Sequence, residues 1–284
     1  MTFGSFDQIS NKVPFPICLV ISIGYNETFS EAYLPQCYAR PVEIANTLIF
    51  QVGNAFVHFG SLAVLLMIIF NVRSKYTAIG RVEMLHFFYL CIGLIILTLI
   101  TDCGVSPPSS ESYAYFVAVQ MGIALACCIT LLYNGVLFFQ FWEDGLKTSM
   151  SLLRGISVAW FAVNFILSLF TFKGWGSLKP TETVGVFIVL YVVNAAILAA
   201  FVVVAAVLVV FALDSYWPLG TILLGVFFFV MGQILLYVLS NIICTHLKHY
   251  IDGTFFGSLC NIFAIMMVYK FWDLITTEDL EFSV

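Results

Sequence analysis

The chain has 284 residues, of which 62% are hydrophobic and only 10% charged, and its mean hydropathy is +1.04. Soluble domains carry about a quarter charged residues, so a water-dispersed fold is excluded and lipid is the solvent for most of the chain. The formal net charge of -5 comes without any basic run, which excludes a nucleic-acid surface built from clustered Lys and Arg.

Residues 1–43 differ from the rest. The apolar stretch 13–24 contains Pro14 and Pro16 and spans only 12 residues. Asp7 offsets Lys12 and no small-residue cleavage site follows, so the stretch does not read as a signal peptide. It reads as an ordered external lid packed on the membrane domain, with a disordered segment as the alternative.

From residue 44 onward the charges punctuate the sequence. Uncharged windows run 44–72, 84–101, 112–142, 155–172, 183–213, 215–247 and 253–269. About 20 mainly apolar residues cross a hydrocarbon core of roughly 30 Å, so each window accommodates one span. The pattern predicts helices near 45–70, 82–101, 114–140, 154–172, 184–213, 218–240 and 254–273. As a helix the window 183–213 would measure about 46 Å at about 1.5 Å per residue, so it must tilt or project from the bilayer. An open sheet would leave unpaired edges in lipid. A barrel would alternate apolar and polar residues, whereas 199–210 is apolar throughout. The expected fold is an all-α integral membrane protein with seven transmembrane helices over 44–273, an ordered lumenal N-terminal segment over 1–43 and an acidic cytosolic tail over 274–284.

Orientation rests on the first two loops. Arg73, Lys75 and Arg81 crowd the loop after the first helix, while residues 102–112 hold no basic residue. The positive-inside rule then places the N-terminus outside and the C-terminus in the cytosol. The full set of 11 basic residues divides about six to five between the cytosolic and lumenal sides and decides nothing. Asn26-Glu27-Thr28, the only N-glycosylation sequon, becomes lumenal in this topology, which makes Asn26 a candidate glycosylation site. Cys18, Cys37, Cys103 and Cys244 all fall on the lumenal side, whereas Cys91, Cys127, Cys128 and Cys260 lie within helices. In an oxidising compartment the first four allow two disulfides in three pairings. Cys18 with Cys37 would close the lid, and Cys103 with Cys244 would tie the second loop to the sixth; free thiols are the alternative.

Ionisable and polar residues inside a membrane are where function is sought first. Gln51, Asn54 and His58 are spaced three and four apart and share one helix face. They form a polar seam for a ligand or a partner helix, or else hydrogen-bond within the bundle. Asn134, Asn164, Asn194, Gln233 and Asn261 offer similar handles. Gly253 and Gly257, four apart at the start of the last helix, permit close approach of another helix, from the same bundle or from a partner. Gly122 and Ala126 form a weaker version.

No catalytic constellation, cofactor motif or metal set is expected. His246, His249, Cys244 and Asp252 could hold zinc, but they read as a solvated loop. A ceramidase-like metal-dependent lipid hydrolase would need converging His and acidic ligands, which His58, His86, His246 and His249 do not supply. A seven-helix receptor is a third reading. Lys270 lies beside Trp272 and Asp273 near the helix end, where it reads as a snorkelling lysine. Asp279-Leu280-Glu281 has the acidic-x-acidic form that a vesicle-coat cargo adaptor could pair with basic pockets; a solvated helix end or a docking element are the alternatives.

Several segments together resemble one family, the fungal chitin synthase export chaperones. They are Lys12-Val-Pro-Phe-Pro-Ile-Cys18, Cys37-Tyr-Ala-Arg-Pro-Val-Glu43, Asp102-Cys-Gly-Val-Ser-Pro-Pro108, Phe141-Trp-Glu-Asp-Gly145 and Ser215-Tyr-Trp-Pro-Leu-Gly220. The closing stretch, with His249-Tyr-Ile-Asp-Gly253, Tyr269-Lys-Phe-Trp-Asp273 and Thr277-Glu-Asp-Leu-Glu281, is the most specific part. The almost pure Val and Ala run over 202–210 departs from what the family leads one to expect. The resemblance implies a multi-pass protein of the endoplasmic reticulum membrane that binds chitin synthase, prevents its aggregation, permits its export and could accompany it to the plasma membrane. Its implied partners are chitin synthase and membrane lipids, and it needs no enzyme activity, cofactor or metal.

Overall fold

A computed structural model describes residues 6–25, 35–44, 46–108, 110–140, 143–175, 183–213 and 215–281. Short helices α1 (Asp7–Ser10) and α2 (Pro16–Tyr25) open the chain, and strands β1 (Val42–Ile44) and β2 (Thr47–Ile49) pair antiparallel, Val42 opposite Ile49. Then come α3 (Val52–Ser74), α4 (Arg81–Asp102), α5 (Glu111–Leu137) and α6 (Lys147–Lys173). The fifth span is composite: α7 (Val184–Phe187), a π turn (Ile188–Val193) and α8 (Asn194–Ala212). Helices α9 (Trp217–Tyr237), the short α10 (Ser240–His246) and α11 (Gly253–Glu281) complete the chain. Among the described residues, seven helices are long and apolar enough to cross a membrane.

Local chemistry sets the ends. Gly174 takes the left-handed conformation (φ 66°) that closes α6 after Lys173. Pro218 sits in the first turn of α9, where a missing N–H costs nothing. Asp252 caps α11, its Oδ1 accepting the Thr254 N–H at 3.1 Å. Just after the π turn the Asn194 side-chain amide donates to the Leu190 carbonyl at 2.9 Å, so this polar N–H is satisfied inside the span.

Three boundaries differ from the sequence expectation. The first span begins at Val52 rather than near 45, because residues 42–49 pair with each other as a hairpin. The fourth begins at Lys147 rather than 154, and its early residues Lys147, Thr148, Ser151 and Leu152 face outward. A charged residue with a long apolar stem can enter a helix end without ending it. The last helix continues through Glu281, so the backbone of the tail is a continuation of α11.

Neighbouring helices in the order α3, α4, α5, α8, α9 and α11 close back on α3 as a ring, with α6 packed outside on α5. The main core fills one half of this ring: Leu65, Ile69 and Val72 meet Met84, Phe88, Leu131, Leu208, Phe271 and Trp272. Leu208 and Val209, from the Val/Ala-rich run, are buried in it. The connections at that end are tied crosswise. Glu83, fully buried, accepts the Gly145 N–H at 2.9 Å and the Ser149 hydroxyl at 3.0 Å, while Asp144 accepts the Gly80 N–H at 2.7 Å. Both glycines are left-handed (φ 66° and 70°), which lets each N–H turn to a carboxylate. Trp272 Nε1 donates to the Ile79 carbonyl at 2.9 Å, and Lys75 pairs with Asp273.

At the other end the described part of the N-terminal segment packs on the bundle. Phe6, Ile17, Cys18, Val20 and Ile21 are buried against Tyr113, Val117, Met121, Phe172 and Val186.

Candidate functional site

Beneath the N-terminal segment a group of polar side chains gathers inside the ring, among apolar neighbours such as Leu94, Ile95 and Ile265. A cavity of about 220 Å³ lies between α3, α4, α5 and α11, covered by Pro14, Phe15 and Pro16. Asn54, His58 and Ser61 reach it from α3, Thr98 and Asp102 from α4, Gln120 from α5, and Thr254, Ser258 and Asn261 from α11. The expected seam of Gln51, Asn54 and His58 is therefore one buried face of α3, directed into the bundle. The Asn54 amide donates to Asp102 Oδ2 at 3.0 Å and approaches Gln51 Oε1 at 3.5 Å. The Thr254 hydroxyl lies 2.9 Å from the same Gln51 oxygen and also contacts Asp252. Two carboxylates at the ends of different helices are thus linked through Asn54, Gln51 and Thr254. On the far wall Gln120 lies 3.1 Å from the Thr101 hydroxyl and 3.2 Å from that of Thr98. Asn54 Oδ1, His58 Nε2 and Asn261 Oδ1 are buried without a hydrogen-bond partner.

Above the cavity, Cys37 and Cys244 form a disulfide with Cα atoms 5.9 Å apart, joining the N-terminal segment to α10. The pairings Cys18–Cys37 and Cys103–Cys244 are corrected by this bond, which uses one cysteine from each. The reason is packing. Cys18 points into the cluster beneath α2, where the Ser10 hydroxyl contacts it. Cys103 stands at the end of α4, whose carbonyl accepts the Phe50 N–H at 3.3 Å, and burial with the nearby Asp102 carboxylate pushes its thiol up to about 11. His249 lies 3.3 Å from Cys37 Sγ and its carbonyl accepts the Arg40 N–H at 2.8 Å. Lys248 and His249 are both left-handed (φ 51° and 66°), a strained conformation for residues with a Cβ. Although Cys37, Cys244 and His249 converge, the two sulfurs are spent on each other and are not thiolate ligands for a metal.

Gly253 and Gly257 meet the same chain. A Cβ on Gly253 would lie 2.7 Å from the Leu235 carbonyl, and Gly257 faces Leu236 and Gly232 of α9. Gly122 likewise admits the Phe161 ring of α6. The other polar handles act locally or between helices: Asn164 donates to the Met121 carbonyl at 2.7 Å and Asn134 to that of Thr130 at 2.9 Å. Asn26 lies outside the described residues, as do the side chains of Asp279 and Glu281, whose backbone belongs to α11. Among the histidines, His58 faces the cavity, His86 lies on α4, His246 ends α10 and His249 adjoins the disulfide.

Sequence reasoning did not single out Asp102, Gln120, Thr254 or Ser258. Asp102 stands one residue outside an uncharged window, where it reads as punctuation, as does Asp252, which the sequence otherwise groups only with the loop histidines. That flanking position is the signal that could have marked them.

These features define a class: a polytopic membrane protein with an apolar core at one end and a covered polar interior at the other. A family model described as chitin synthase export chaperone matches residues 2–284. The chain belongs to that family. Relatives carrying the same description include proteins of Debaryomyces hansenii and Candida albicans, each 63% identical over all of this chain and 93% and 92% of their own length. One from Saccharomyces cerevisiae is 48% identical over all of this chain and 95% of its own. No solved structure matches the chain.

Proposed function

We propose that this protein is a chaperone of the endoplasmic reticulum membrane that binds chitin synthase, keeps it from aggregating and permits its export toward the cell surface. Family membership over essentially the whole chain carries this reading. It acts by binding, not by catalysis. A polytopic client exposes polar groups in lipid at high cost until they are covered, and a partner bundle covers them without chemistry. In this reading the N-terminus, the Cys37–Cys244 bond and the polar cavity are lumenal, and the C-terminus is cytosolic. Arg73, Lys75 and Arg81 at the opposite end support that orientation. The tail carrying Asp279 and Glu281 then faces cytosolic partners such as a vesicle-coat adaptor.

Deleting the protein and following a fluorescent chitin synthase tests the reading. The expected result is aggregated synthase held in the endoplasmic reticulum, with less cell-wall chitin. Normal delivery of the synthase to the cell surface would refute it.

A further inference from the structure

The three basic residues at the junction of α3 and α4 keep different company. Lys75 pairs with Asp273 of α11. Arg73, in the last turn of α3, donates to the Tyr89 hydroxyl, with its Cζ 5.8 Å from the centre of that ring. Arg81, which opens α4, has its Cζ 5.4 Å from the centre of the Tyr76 ring and its Nη1 3.5 Å from the Arg73 carbonyl oxygen. Among the described residues neither guanidinium meets a carboxylate. None stands at hand in these two helices. Between Val52 and Asp102 the only acids are Glu83, fully buried and spent on Gly145 and Ser149, and Asp102 at the far end of α4.

Contacts with aromatic rings steady the two heads without neutralising them. A guanidinium presents its N–H groups as a planar fork, the geometry that takes a phosphate by two hydrogen bonds at once. The surface beyond the heads is apolar. Leu66 and Phe70 share the Arg73 face of α3 at intervals of four and three, and all three are exposed. On α4, Arg81, Leu85, Tyr89, Ile92 and Ile96 follow at helical intervals, with Tyr89 and Ile96 exposed. Cationic heads at the ends of two spans, with apolar rows running from them toward mid-membrane, match the two parts of a lipid. A headgroup of net negative charge suits the first part and acyl chains the second. Such lipids are concentrated in the cytosolic leaflet, the side to which the orientation proposed above assigns this end.

We propose that Arg73 and Arg81, steadied by Tyr89 and Tyr76, bind the headgroup of one acidic phospholipid on the outer face of the α3–α4 pair. The lipid supplies them with the counter-charge that Lys75 receives from Asp273.

The test is native mass spectrometry of the delipidated full chain in mild detergent, titrated with phosphatidylinositol or with phosphatidylcholine of the same acyl chains. One phosphatidylinositol should be retained per chain, with an affinity about tenfold above that of phosphatidylcholine, the scale of one charge-assisted hydrogen bond. Arg73→Gln and Arg81→Gln should each lower the affinity for phosphatidylinositol about tenfold. Lys147, an exposed cation that opens α6 at the same end of the bundle, is the control, and Lys147→Gln should leave that affinity unchanged. Equal retention of the two lipids would overturn the proposal. So would an unchanged affinity in both arginine variants, or an equal loss in Lys147→Gln, which would mean diffuse attraction to a basic end. Glycerophosphoinositol, the headgroup without its chains, should not displace the lipid at equal concentration; displacement would make this a site for free phosphates and overturn the lipid as its occupant. If one arginine variant does not fold, the other decides alone.

Discussion

Gly253 and Gly60 are both helical glycines with opposite surroundings. A Cβ at Gly253 would lie 2.6 Å from Ser240 Cβ and 2.7 Å from the Leu235 carbonyl, whereas nothing stands within 4 Å of one at Gly60. Gly253→Ala should therefore force α11 away from the α9–α10 corner and cost about 1–3 kcal/mol. Gly60→Ala should be neutral or stabilise by up to about 1 kcal/mol, because it only removes backbone freedom from the unfolded chain. Unfolding midpoints of the two variants in detergent, compared with the parent, check both signs. At this scale the sequence exposed spacing but not surroundings. Gln51, Asn54 and His58 could be placed on one face from their intervals, and Gly253 and Gly257 could be read as a close-approach pair. Neither reading says that the first set faces Asp102 or that the second faces Gly232.

The Cys37–Cys244 bond ties elements 207 residues apart and holds the N-terminal segment over the cavity through α10. Cys37→Ser should lower stability by about 2–5 kcal/mol and open residues 35–44 to protease. The double variant Cys18→Ser, Cys103→Ser should keep the oxidised band on a non-reducing gel. Loss of that band in the double variant, with its retention in Cys37→Ser, would reverse the pairing. The pairing was not legible because four cysteines on one side allow three arrangements and only the packing of α2 and α10 chooses among them. Helix starts failed for a related reason. Charges were taken as boundaries, yet Lys147 lies inside α6. Residues 42–49, mostly apolar, went to a hairpin that no window could separate from the first span.

At the scale of the molecule, one end is apolar and cross-tied while the other is polar and covered. The α11 helix runs between them and ends in the acidic stretch with Asp279 and Glu281. Replacing both by Ala distinguishes three roles for that end. As an export signal, the pair leaves binding to chitin synthase intact while both proteins stay in the endoplasmic reticulum. As a docking element, the change weakens co-purification, and raising the salt weakens that of the parent too, because exposed charges are screened. Unchanged export and unchanged binding make it solvated surface. Localisation and pull-down of the double variant read all three.

Seven spans, their approximate limits and the lipid environment follow from the sequence alone, because crossing about 30 Å of hydrocarbon demands long apolar helices whatever they pack against. The family was legible too, since its motifs stand mainly at helix ends and in connections, where residue identity is not dictated by lipid. The closure of α3 onto α11, the seating of the N-terminal segment, the Cys37–Cys244 bond and the gathering of Asp102 with Asn54, Gln51 and Thr254 were decided only in three dimensions. In a chain this apolar every helix offers lipid and neighbour similar side chains, so hydrophobic pattern does not tell an inward face from an outward one. The choice falls to close packing and to the few polar groups that must find partners, and Gln51 finds its partner Thr254 203 residues away.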